Sequence, residues 1–169
     1  SYLGRTGYHE MFGPYRIEFY PEEYGLPSKL VVRTQNGKVM ELNAGTELPS
    51  DLDGSFRDIE KGVPFEQNPR ILIYGGYYDA PIMFFLNTSF DADGQLQNIT
   101  FDGQMDVKPE FNSKYERIES TFLYKGNLYT VMEDSNIPFF YRILKFSKSQ
   151  ETGKWGKTAE AFHPSSDGN

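Results

Sequence analysis

Asp51, Asp53 and Asp58 are the side chains whose type and spacing come closest to a site of chemistry in this sequence. Calcium takes several hard oxygen ligands, and alternate carboxylates ahead of a glycine turn can put two side chains and a backbone carbonyl on one ion. The stretch Ser50-Asp51-Leu52-Asp53-Gly54-Ser55-Phe56-Arg57-Asp58-Ile59-Glu60 has that character. It departs from the EF-hand, since Ser55 is a weak ligand at the next alternate position and no bidentate Glu closes the loop at position twelve. Calcium is allowed there and no cofactor is required; the competing reading is an Asp-Gly turn with solvated acids. Asp91-Ala92-Asp93-Gly94 repeats the Asp-x-Asp-Gly pattern, but a tight turn accounts for those residues by itself.

Acid-base catalysis would need two carboxyl groups across a cleft, and Glu22 with Glu23 or Glu116 with Glu119 are the candidate pairs. Neighbouring surface acids are the ordinary alternative. The two histidines, His9 and His163, form no His-Glu-x-x-His motif, and the chain has no Gly-x-Ser-x-Gly elbow, phosphate loop or dinucleotide glycine fingerprint. No catalytic residues are assigned, and an ordinary hydrolase or nucleotide enzyme is disfavoured. Recognition by aromatic side chains is the remaining possibility. Tyr77, Tyr78 and Asp79, with Phe139, Phe140 and Tyr141, fall at or near expected loop ends, where an amphipathic ring can anchor a protein or a sugar. Core packing in an aromatic-rich fold is the alternative.

The elements that must position these residues are strands. The 169 residues include 14 Phe, 12 Tyr and only one Trp, a composition that leans toward sheet. Residues 1 to 14 read as an irregular lead-in, and Tyr15–Tyr20 as a first alternating strand ended by Pro21. Lys29–Thr34 and Val39–Leu42 flank Asn36-Gly37, which predicts a hairpin with a type I′ turn. From Asn43 to Pro69 the pattern is broken by Gly and Pro. Arg70–Tyr74 and Pro81–Leu86 are continuous apolar runs, as expected of strands buried on both faces. Leu86 to Gly103 is a strand-turn-strand unit centred on Asp91–Gly94, with a bulge expected near Gln97-Asn98 to restore alternation. Strands then follow at Glu116–Tyr124, Leu128–Met132 and Phe139–Phe146, with Gly153–Thr158 ending the fold.

The expected fold is all-β, an antiparallel sandwich, barrel or propeller-like sheet of about ten strands with little helix. It is expected as a single domain over residues 1–162, with a tail at 163–169. A chain this long buries about two thirds of its unfolded surface, so it can fold without staples. That suits a sequence with no cysteine, which rules out disulfides, thiolate metal sites and a cysteine nucleophile. The formal net charge of -7 argues against a nucleic-acid partner and permits a basic one. The longest apolar run is far short of a membrane span. Ser1–Arg5 lacks a signal core, so either the protein is cytoplasmic or a signal segment has been removed.

The order of motifs is similar to that of the lysozyme-inhibitor-like immunity proteins of bacterial antibacterial secretion systems. The Asn36-Gly37 hairpin is followed by the acidic loop Asp51–Ile59, then by Pro109-Glu110-Phe111-Asn112-Ser113-Lys114-Tyr115-Glu116-Arg117-Ile118-Glu119-Ser120, then by Tyr-rich strands. The resemblance implies calcium in the acidic loop and a periplasmic or secreted all-β protein that plugs the cleft of a cell-wall-degrading effector. With no catalytic set, an acidic chain and aromatic loops, the expectation is a non-enzymatic, toxin-neutralising binding protein whose partner is a protein such as a basic effector toxin. The alternative is a secreted carbohydrate-binding or carbohydrate-active β-sandwich.

Overall fold

The computed structural model describes residues 7–50, 59–62, 70–75 and 81–163. They form twelve strands in three antiparallel four-stranded sheets, and no sheet closes into a barrel. The first sheet holds β1 (Tyr8–Phe12), β2 (Tyr15–Tyr20), β3 (Lys29–Arg33) and β4 (Val39–Asn43). The second holds β5 (Ile59–Gly62), β6 (Arg70–Gly75), β7 (Ile82–Phe90) and β8 (Leu96–Asp106), and the third holds β9 (Glu116–Tyr124), β10 (Asn127–Asp134), β11 (Tyr141–Lys148) and β12 (Trp155–His163). Each sheet is a meander in which strands neighbour in chain order. The first strands of successive sheets touch, β1 with β5 and β5 with β9, and β4 touches β8. The three sheets are therefore stacked in the manner of successive propeller blades.

The all-β expectation is met, and among the described residues the only helical element is a single 3-10 turn, Lys108–Glu110. Residues 8–12, expected to be irregular, instead form β1, which pairs with β2 from Tyr8↔Phe19 to Phe12↔Tyr15. The broken stretch 43–69 contains β5, paired with β6.

Turn chemistry explains the hairpins, with one correction. The turn after β3 is not type I′, because Gly37 alone has a positive φ there (89°), whereas type I′ needs it at both central residues. Thr34 accepts from the Gly37 N–H at 3.1 Å, and its own N–H donates to the Lys38 carbonyl at 3.0 Å, closing a type I turn with a glycine bulge. The β7–β8 hairpin repeats the pattern through Asp91, Gly94 and Gln95. Asp91 Oδ1 accepts the N–H groups of Asp93 and Gln95, both at 2.9 Å, so that carboxylate serves the turn. Two-residue hairpin turns join β1 to β2 at Gly13 (φ 61°) and Pro14, and β9 to β10 at Lys125 (φ 50°) and Gly126 (φ 79°). The bulge expected near Gln97 is present, since Ser89 pairs with Asn98 and Phe90 with Leu96.

The core is two layers on either side of β7. Phe84 and Leu86 face the first sheet, where they join Ile17, Phe19, Leu30, Val32 and Leu42. Met83 and Phe85 face the third, against Ile118, Leu128, Met132, Leu144 and Phe146. Trp155 stacks on Phe85 with ring centroids 4.7 Å apart. The continuous apolar run at 81–86 is thus buried on both faces, as its lack of alternation predicts. Phe146 is fully buried and Phe122, in the same sheet, is 46% exposed on the opposite face. Phe146→Ala is expected to cost about 3–5 kcal/mol, and Phe122→Ala, which loses only its stack on Tyr129, about 0.5–1.5 kcal/mol, in urea unfolding of the monomer.

Candidate functional site

Alternating strand direction divides the connections between two ends of the stacked sheets. One end carries the tight hairpins β1–β2, β3–β4, β7–β8, β9–β10 and β11–β12. The Lys38 Nζ donates to the Gln97 carbonyl at 2.7 Å, joining the first and second sheets at that end. The other end carries the longer connections, held to one another through the backbone. Ala44 N–H donates to Ser28 at 2.9 Å, Val107 N–H to Pro81 at 2.8 Å, and Ser135 N–H to Tyr115 at 3.1 Å.

Exposed apolar side chains in connections are confined to this second end among the described residues. Tyr24 and Leu26 come from β2–β3, Tyr115 from β8–β9, and Ile137 and Phe139 from β10–β11. The hairpin turns at the opposite end are built from Thr, Gln, Asn, Asp, Glu, Gly, Ser, Lys, Pro and Ala with no large apolar residue. Exposed Met11, Val39 and Tyr124 flank the opposite turns from within strands, so the contrast lies in the connections themselves: five large apolar groups project from those at this end and none from the turns at the other, which makes this end the candidate contact surface.

Two of the five also hold unfavourable backbones. Phe139, 69% exposed, has φ 62°, and Tyr24, 79% exposed, has φ 55°. The Phe140 N–H donates to the Ile137 carbonyl at 3.4 Å, so Pro138 and Phe139 are the central residues of a turn whose third position normally takes glycine. A left-handed Phe costs roughly 1–2 kcal/mol and gains nothing from burial here. Tyr24-Gly25 forms a similar two-residue turn, with reciprocal hydrogen bonds between Glu23 and Leu26 at 3.2 and 2.9 Å. Sequence reasoning singled out Phe139 but missed Tyr24; the signal was an aromatic directly before a turn glycine.

Of the residues expected at a partner surface, Phe139 lies at the tip of this end. Tyr141 follows on the first residue of β11, half-buried, paired with Glu133 and His163 on the outward face of the third sheet. Tyr77, Tyr78 and Asp79, and the acidic residues Asp51, Asp53 and Asp58, lie outside the described residues. Pro81, whose carbonyl accepts the Val107 N–H, lies at the same end as Phe139 and Tyr24. Among the described residues no cluster of three or more His, Asp or Glu could hold a metal.

The carboxylate pair Glu116 with Glu119 is not assembled. Glu116 is buried with Ile118 on the inward face, whereas Glu119 pairs outward with Arg117 at 3.3 Å. Arg142 Nη1 donates to both oxygens of Glu116, at 2.8 and 2.9 Å, and its Nε donates to Glu160 at 2.8 Å. Both terminal nitrogens also donate to the Glu110 carbonyl at 3.2 Å. The Asn112 N–H donates to Glu116 as well. Lys157 extends the network to the Glu110 carboxylate at 2.8 Å. Five charged groups from β9, β11, β12 and the 3-10 turn thus fix the base of the β10–β11 connection that presents Phe139. The sequence signal was phase: Arg142 alternates with Leu144 and Phe146, so a cation had to point inward.

A second ion cluster lies on the outward face of the first sheet and was not foreseen. Glu18 accepts from Arg16 Nε and Arg33 Nε, each at 2.9 Å, and from the Tyr20 hydroxyl at 2.8 Å. Burial pushes the Glu18 carboxyl up, but the hydrogen bonds from Arg33, Tyr20 and Arg16 outweigh it and hold the group below the usual carboxylate range. Burial and the Glu18 hydrogen bond together push the Tyr20 hydroxyl up to about 12. Three donors from one sheet converge on the Glu18 carboxylate, which is the arrangement of a structural ion group.

Comparison with protein-family models, with curated proteins and with solved structures found no match.

Removing one partner of a buried ion pair leaves the other charged and desolvated. Glu116→Gln is therefore expected to lose about 3–5 kcal/mol in urea unfolding. Because the folded Glu18 carboxyl is depressed, its contribution is present above its unfolded range and lost as pH falls through the folded value. Acid unfolding followed by circular dichroism should accordingly be less steep in Glu18→Gln than in the unaltered protein.

Proposed function

We propose that this protein is a non-enzymatic binding module that engages a protein partner through the end carrying Tyr24, Tyr115, Ile137 and Phe139. The observation that carries the reading is Phe139, a large apolar side chain held exposed on a left-handed backbone at the tip of a turn anchored by a buried ion network. Strain without burial points to selection for contact rather than for stability. An aromatic that stays exposed in the free protein suits the anchor role at interfaces, where Tyr, Trp and Phe dominate binding energy.

The finer form of the proposal is a toxin-neutralising inhibitor of a cell-wall-degrading effector, acting in the periplasm. The net charge of -7 favours a basic partner electrostatically, chiefly through association rate. Co-expression with candidate effectors of that class tests it, with protection of the cells as the readout.

Phe139→Gly separates the two roles of the residue. Glycine adopts positive φ without steric cost, so thermal unfolding should show a gain of about 0.5–1 kcal/mol. Protection, and affinity for the effector by calorimetry, should fall at least tenfold. Unchanged protection in a stabilised Phe139→Gly protein would show that this end is not the contact.

A further inference from the structure

The outward face of the third sheet is a second surface, distinct from the loop end. Its side chains are set by register in two rows across the four strands. One row runs Phe122, Tyr129, Lys145, Ala159, and the next runs Ser120, Val131, Ile143, Ala161. Toward the loop end Arg117, Glu133 and Tyr141 continue the pattern. Phe122 and Tyr129 stack with ring centroids 5.2 Å apart. Leu128, Met132, Leu144 and Phe146, on the opposite face, are consumed by the core, and no described element covers this one.

We infer that this face packs against the same face of a second copy of the chain, about a twofold axis running parallel to the strands between β10 and β11. Such an axis exchanges β10 with β11 and β9 with β12, so each residue meets the copy of its own cross-strand neighbour. Every central meeting is then complementary. Val131 of one copy meets Ile143 of the other, an apolar pair at the centre. Tyr129 meets Lys145, a ring face under an ammonium with its apolar stem. Glu133 meets Tyr141, an acceptor facing a hydroxyl donor. Phe122, the bulkiest group, meets Ala159, the small residue that leaves room for it. The axis also keeps the strand directions aligned, as face-to-face sheet packing requires.

Charge selects this occupant over a basic partner. The chain carries -7, yet the face balances Arg117 and Lys145 against Glu119 and Glu133, so two copies can approach there without net repulsion between the surfaces. Four strands about 4.8 Å apart give a face roughly 20 Å wide, at the small end for a specific interface. The association is accordingly reversible and dependent on concentration.

Sedimentation equilibrium over a wide concentration range tests this. The mass should rise from 19.4 kDa toward twice that value as concentration increases. Ile143→Glu alone and Val131→Lys alone should each remain monomeric while keeping the circular dichroism and melting temperature of the unaltered protein. An equimolar mixture of those two variants should recover dimer, because the altered positions meet across the proposed axis at one of its two copies. Mass that stays at 19.4 kDa throughout overturns the inference, as does a dimer that both variants still form. A dimer that the variants abolish but the mixture does not recover overturns the axis. Phe139→Gly, at the loop end, should leave the dimer intact, so this surface and the proposed partner contact succeed or fail separately.

Discussion

Burial of β7 on both faces is the constraint from which the rest of the structure follows. A strand that sends Phe84 and Leu86 one way and Met83 and Phe85 the other needs a complete sheet on each side, since neither pair can face water without losing roughly 1.5–3 kcal/mol per side chain. The first and third sheets supply those covers. Each then needs only one face toward the core: in β2, Ile17 and Phe19 alternate with Arg16 and Glu18, and in β11 the buried Leu144 and Phe146 alternate with the half-buried Ile143 and Lys145. Three sheets in chain order, joined by one connection each, are the least tangled way to satisfy that demand.

Layering determines what the outer faces can be. The first sheet closes its outward side with ions: Glu18 sits beneath Arg16 and Arg33 and beside Tyr20, and Val31 is fully buried beside it. The third sheet places its buried ions inward instead, at Arg142 and Glu116, and leaves Phe122, Tyr129, Val131 and Ile143 on the outside. The two terminal sheets of the stack are therefore not equivalent. One ends in a satisfied polar cluster, the other in an apolar face with balanced charge.

Local chemistry made much of the fold legible in the sequence. Hairpins announced themselves because β-prone runs flank Gly-containing turns, and the Gln97 bulge was forced by Leu96, Ile99 and Phe101 falling out of phase. The turn at Asn36-Gly37 was placed correctly and typed wrongly, because the Thr34 side chain accepts the Lys38 N–H and draws the loop out to the longer form. What escaped was non-local. β1 mixes Tyr, His, Glu, Met and Phe with no uniform face, and β5 is only Ile-Glu-Lys-Gly; both are strands because β2 and β6 offer them partners. The ion clusters were equally invisible to spacing, since Glu116 and Arg142 are 26 residues apart. Only the phase of Arg142 within an apolar alternation hinted that a buried partner must exist.

Positioning of the candidate contact depends on that hidden pair. A turn bearing an exposed Phe on a left-handed backbone would relax if its base could shift, because the strain has no local compensation. Arg142 stands on β11 just beyond the turn, bound to Glu116 on β9, Glu160 on β12 and the Glu110 carbonyl, so the strand that follows the turn is fixed from three sides. On the preceding side, Asp134 Oδ1 accepts the Asn136 N–H at 2.8 Å and Ser135 bonds to Tyr115. The strained turn that exposes Phe139 is thus held at its base by a network whose centre, Arg142 with Glu116, is buried. Rigid support beneath an exposed aromatic lowers the entropy that a binding event there would cost, so the charge network and the apolar tip fit together as parts of the proposed contact.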